Sequence, residues 1–161
     1  MKKIYIISIL IVLLNVNVKP KNNISSNNNN IKKTELFGTL IIKKINLKED
    51  IYNIGNKNNT IEKHVTLLEQ SIIPELIIIA AHSGTGKIAY FERLDELKIN
   101  DEITLINNKK KKTYIVKEIW EEKKNGYINI NKEKKNQLVL TTCSPKNNKY
   151  QLIVNCIIKD K

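Results

Sequence analysis

The chain has 161 residues, enough for one domain with a normal core plus a short appendage and too few for two full domains. Its formal charge of +12 would ordinarily raise nucleic acid as a partner. The excess is nearly all lysine, however, and it accompanies abundant Asn and Ile, residues that share A/T-rich codons. The lysines are also scattered, without the aromatic platform that single-strand binders use, so no nucleic acid partner is expected.

At the N-terminus Lys2 and Lys3 precede an apolar stretch, Ile4 to Leu14, that frays through Val16 and Val18. It reads as an export segment. A spanning helix needs about 20 apolar residues and a signal-peptide core about 7 to 15. The length favours a signal peptide, yet no small-x-small cleavage site follows, so residues 1–18 are a signal peptide or a short membrane anchor. With Lys2 and Lys3 in the cytoplasm the remainder would lie outside the cell, although Lys19 and Lys21 weaken the charge asymmetry. Lysines close to an anionic membrane surface contribute on the order of 1 kcal/mol each, which suits a membrane-proximal domain.

Residues 19–33 are polar and lack hydrophobic period, which makes them a flexible linker. The folded domain is expected over residues 34–161. There, short β-branched runs alternate with polar turns: LFGTLIIKKINL, ITLIN, KTYIVKEIW, GYINI, QLVLTTC and YQLIVNCIIK. That spacing predicts a small all-β barrel or sandwich. Phe91, Leu94 and Leu97 fall three apart and predict one or two helical turns, and a second short helical segment is expected over residues 60–68. The lysine run at 109–112 reads as a solvated hairpin loop.

Two cysteines are too few for a disulfide framework, so the core must carry stability. Cys156, in LIVNCII, reads as a small buried strand residue. Cys143 ends an apolar strand just before Ser144 and Pro145, where a side chain is presented at a rim. His82 follows PELIIIAA and precedes Ser83, Gly84, Thr85 and Gly86, again a strand end beside a turn. His64 is flanked by charge and reads as an exposed helix residue. No HExxH, CxxC or HxH spacing is present, so no metal ligand set is implied. A thiol beside an imidazole can act as nucleophile while the imidazole protonates a leaving amine.

Three stretches carry a family resemblance. LFGTLIIKKINLKEDIYNIG is similar to the opening strand and isoleucine-rich turn of sortase domains. IIIAAHSGTGKIAYFERLDELKINDEI resembles the family's strand, His, Ser-Gly turn and the F-x-x-L-x-x-L pattern that follows. LVLTTCSPKNNKYQLIVNCII resembles its T-L-x-T-C strand and the strand after it, with Val139 where the strict signature has threonine. The resemblance spans most of residues 36–158.

It implies a closed β-barrel of about eight strands with one or two short helices, and a cysteine transpeptidase reaction. Cys143 would attack the Thr-Gly bond of a Leu-Pro-x-Thr-Gly-like sorting signal on a surface protein, with His82 as general acid and then base. The thioacyl enzyme would pass to an amine acceptor such as a cell-wall precursor or a pilin lysine. Thr142 would line the substrate groove. A loop expected between Glu118 and Asn129, with Trp120 and Tyr127, is a candidate substrate contact. The family's third residue, an arginine early in the strand after the cysteine, is absent here: Gln151 is best placed to stand in, with Lys149 a neighbouring cation, while Arg93, the chain's sole arginine, lies elsewhere. No cofactor is implied, although some sortases carry a calcium-responsive loop. Two other readings remain, a catalytically degenerate peptide-binding domain and an exported polyanion-binding module.

Overall fold

The computed structural model describes residues 2–5, 35–72, 75–131 and 136–159. Apart from residues 2–5, the expected export segment (1–18) and linker (19–33) lie outside the described residues. Among the described residues ten strands are formed: β1 (Lys2–Tyr5), β2 (Leu36–Ile42), β3 (Leu47–Tyr52), β4 (Thr66–Ile72), β5 (Glu75–Ala80), β6 (Glu102–Asn107), β7 (Lys110–Lys123), β8 (Tyr127–Ile130), β9 (Gln137–Cys143) and β10 (Tyr150–Ile158). Eight of them build one sheet in the order β3-β2-β6-β7-β10-β9-β5-β4, whose two edges approach each other to make a nearly closed barrel. β1 and β8 form a separate antiparallel pair.

All but one of the barrel's pairings are antiparallel; β5 and β9 run parallel. Strand alternation divides the apolar residues between two faces. Leu40, Ile42, Ile77, Ile79, Leu138, Leu140, Leu152, Val154 and Cys156 point into the barrel. On the outer face Leu76, Ile78, Val139 and Ile153 meet Ile128 and Ile130 of β8 in a second cluster. β5, β9 and β10 are therefore covered on both sides, which is why they read as unbroken apolar runs rather than alternating ones.

Local chemistry accounts for the rest of the frame. Gly38 sits where β2 passes β6 so closely that a Cβ would collide with the Ile106 carbonyl. Asn108 and Lys109, both with positive φ, make a tight two-residue turn between β6 and β7, and Lys110, Lys111 and Lys112 belong to the strand, not to a loop. Phe91, Leu94 and Leu97 do share one buried face. They do so on a run of turns and a single 3-10 turn (Leu94–Glu96), whose three-residue period suits that spacing. The helix expected over residues 60–68 is absent: after a turn at 61–63, Val65 is buried and Thr66 opens β4, which pairs with β5. His64 lies in that connection, half-buried, with its ring 5.1 Å from the Tyr52 ring.

Candidate active site

β5 and β9 end side by side at one rim. Their register pairs Ala80 with Thr141, the Ala81 amide then donates to the Thr141 carbonyl at 3.3 Å, and the Thr142 hydroxyl donates to the Ala81 carbonyl at 2.7 Å. The ladder ends there, and His82 and Cys143 each follow by one residue the bonded pair Ala81 and Thr142. On the other side of β9, antiparallel register places Gln151 directly opposite Cys143, and Glu122 of β7 opposite Gln151. Residues paired in this way project from the same face. Cys143, Gln151 and Glu122 thus form a row across three neighbouring strands on the outer face of the barrel, with His82 following the end of β5 at its other side.

The chain is fixed beside both His82 and Cys143. The Phe91 amide donates to the His82 carbonyl at 2.9 Å, closing the intervening loop, in which Gly84 and Gly86 take positive φ angles that favour glycine. After the cysteine, the Ser144 hydroxyl donates to Glu121 at 2.8 Å and accepts the amides of Lys146 and Asn147, while the Ser144 amide donates to the Tyr150 carbonyl. The chain therefore turns sharply at Pro145 and returns as β10. Cys143 is half-buried at the strand end, and Cys156 is fully enclosed in the barrel, where burial pushes its thiol far above the ordinary value.

The remaining sequence-predicted residues are placed as follows. The Gln151 amide does not face the sulfur: it donates to the Tyr127 carbonyl at 2.7 Å and to Glu122 at 3.1 Å. Glu122 also accepts from the Asn129 side chain at 2.7 Å, which ties β8 onto the rim. Thr142 is buried against β5, and its position in the strand turns it inward, opposite in sense to Cys143. The loop expected between Glu118 and Asn129 shrinks to residues 124–126, because β7 runs on to Lys123 and β8 begins at Tyr127. Trp120 accordingly sits in β7, half-buried against the outer apolar cluster, on the face that carries Cys143.

One residue near the sulfur was missed by sequence reasoning. Lys124 donates from Nζ to Cys143 Sγ at 2.9 Å, and its own amide is held by the Lys149 carbonyl at 2.9 Å. Lys149, the cation considered from sequence, is exposed in the turn before β10. Among the described residues no cluster of three metal-ligating side chains occurs.

A model of the sortase domain matches residues 40–158 of the chain. The chain belongs to the sortase family. Solved sortases share the fold. Sortase C1 from Streptococcus agalactiae is 25% identical, with a TM-score of 0.65 over 81% of this chain and 71% of that one. For sortase C-1 from Actinomyces oris the values are 19%, 0.66, 83% and 79%. A lid mutant of sortase A from Corynebacterium diphtheriae gives 23%, 0.63, 82% and 75%. This sortase chain spans 66% of the length of sortase C1 of GBS Pilus Island 1 and 79% of that of the Actinomyces oris protein. Comparison with curated proteins gave no match. No helix among the described residues is long and apolar enough to cross a membrane.

Proposed function

We propose that this chain is a cysteine transpeptidase that joins a surface-protein sorting signal to an amine. The observation that supports the proposal is the bonded junction at the rim, where the Thr142 hydroxyl holds the Ala81 carbonyl one residue from Cys143 and one residue from His82, which are far apart in sequence.

The Cys143 sulfur attacks the Thr carbonyl of a Leu-Pro-x-Thr-Gly-like segment; a C–S bond forms and the C–N bond to Gly breaks. His82 gives its proton to the departing amine, then takes one from the incoming amine as the thioester is opened and the sulfur released. Thr142 acts through position, bonding the two strand ends together within one residue of each reacting group. The outer face beside the row, with Trp120 on β7, is where the peptide would lie. A primary amine is the acceptor, either a cell-wall precursor or a pilin lysine; a resembling sortase C of Streptococcus pneumoniae is described by its pilin substrate specificity. Without an amine, water would hydrolyse the thioester. An exported domain fits such substrates.

Cleavage of a panel of quenched fluorescent sorting peptides by the full chain tests this. Cleavage by the parent that disappears in Cys143→Ala and in His82→Ala supports it. If the parent cleaves no peptide and Cys143 also resists a peptide-like alkylating probe, the chain is a peptide-binding domain and the proposal fails.

A further inference from the structure

The row at the rim lacks the positive charge that an arginine would bring, and Gln151 does not replace it. A carboxamide carries no charge, and both contacts of its nitrogen point away from the sulfur, to Glu122 and to the Tyr127 carbonyl. The charge arrives from another strand. Lys124 follows the last residue of β7, and strand alternation puts it on the same outer face as Trp120 and Glu122, the face of Cys143. Its backbone is not free to wander, because the bond from its amide to the Lys149 carbonyl extends the β7–β10 ladder one step past the Tyr150–Lys123 pair.

The surroundings leave this ammonium to the sulfur. The nearby carboxylates are engaged elsewhere: Glu121 accepts the Ser144 hydroxyl, and Glu122 accepts from Gln151 and Asn129. Among the described residues no carboxylate pairs with Lys124, whose side-chain partner is Cys143 Sγ at 2.9 Å.

From this geometry we infer that Lys124 is a catalytic residue of this chain, supplying at Cys143 the positive charge that position 151 lacks. This rests on the transpeptidase reading. The ammonium donates a charge-assisted hydrogen bond to the sulfur. During attack the negative charge moves from sulfur to the carbonyl oxygen on the adjacent carbon, and an N–H of the same ammonium bonds it there. Lys124 keeps its proton throughout; the proton given to the leaving amine comes from His82. When the second amine opens the thioester, the electron pair of the C–S bond returns to sulfur beside the ammonium.

The test separates the charge from the reaction. Cys143 in the full chain is alkylated with anionic iodoacetate and with neutral iodoacetamide at one pH, in the parent, Lys124→Met and Lys124→Arg, and the modified cysteine is located by mass spectrometry. A cation at the sulfur favours the anionic reagent. The iodoacetate-to-iodoacetamide rate ratio is expected to fall several-fold in Lys124→Met and to recover in Lys124→Arg, with unchanged melting temperature because Lys124 is exposed. With a cleavable sorting peptide, kcat/KM should fall by about 10² to 10³ in Lys124→Met, the loss typical of one oxyanion donor, and largely recover in Lys124→Arg. An unchanged rate ratio in Lys124→Met overturns the inference, as does full peptide cleavage by that variant. If the parent cleaves no peptide yet the ratio still falls, the charge at the sulfur stands and the transpeptidase reading is what fails.

Discussion

Cys143 and Cys156 lie on neighbouring strands of one sheet, each inside an apolar run, and they end up in opposite circumstances. Cys156 pairs across the ladder with Leu138 and faces the barrel interior at zero exposure. Cys143 pairs with Gln151 at the very end of β9, faces outward, and meets an ammonium. Local hydrophobicity does not separate them. On a sheet buried on both faces, what decides is which side the strand alternation selects and how far the residue stands from the rim.

The largest effect expected from that difference is all-or-none. Iodoacetamide applied to the native chain should modify one thiol, Cys143, and Cys143→Ala should take up no label until denaturant is added. Rapid native labelling of Cys156 would break the comparison, because it would mean that the barrel opens on the timescale of the reaction.

A smaller effect sharpens it. Thr142 stands next to Cys143 but has the interior orientation of Cys156, and its hydroxyl links β9 to β5. Thr142→Val keeps the shape and removes the bond, at a cost of about 1 kcal/mol or somewhat more, since a buried acceptor loses its donor. Thermal or urea unfolding measures that loss. Because the bond ties together the segments that carry His82 and Cys143, kcat for peptide cleavage should fall while KM changes little. A Thr142→Val enzyme that is less stable yet keeps full kcat would make Thr142 a core residue only.

How much of this the sequence displayed follows the same division. The barrel strands were legible where β-branched residues clustered, and His82 and Cys143 were legible because each closes an apolar strand just before a turn. Trp120 closes the β run KTYIVKEIW but also falls in the loop expected between Glu118 and Asn129; the strand continues past it through Glu121, Glu122 and Lys123, charges that fall where β7 reaches the rim and meets solvent or polar partners. Over residues 60–68 a short helix is expected, while pairing with β5 makes Thr66 onward a strand. The inward turn of Thr142 was available from strand alternation once Cys143 was set outward. Lys124 was not available. Its closeness to the sulfur depends on β7 being long enough to carry it past Gln151, and on a ladder bond to Lys149 that no spacing along the chain reveals.

The least conspicuous consequence of the contrast is an alkaline one. Burial raises the Cys156 thiol above its ordinary value near 9.0, so between about pH 8.5 and 10 the unfolded chain releases a proton that the folded chain keeps. The folded state then binds more protons than the unfolded state, and stability must fall as pH rises; the contribution is fully present below that window. One such group changes stability by at most about 1.4 kcal/mol per pH unit. Burial, aided by Glu75, raises Tyr114 in the same sense, but from an ordinary value of 10.0, so its share enters only at higher pH. Urea unfolding of the parent and of Cys156→Val at pH 8.5, 9.25 and 10 isolates the thiol, since a slope is read rather than a level and any repacking cost of the valine cancels. A flatter slope for Cys156→Val is expected. Equal slopes would mean that Cys156 ionises alike in both states, and the barrel interior would then not set it apart from the thiol at the rim.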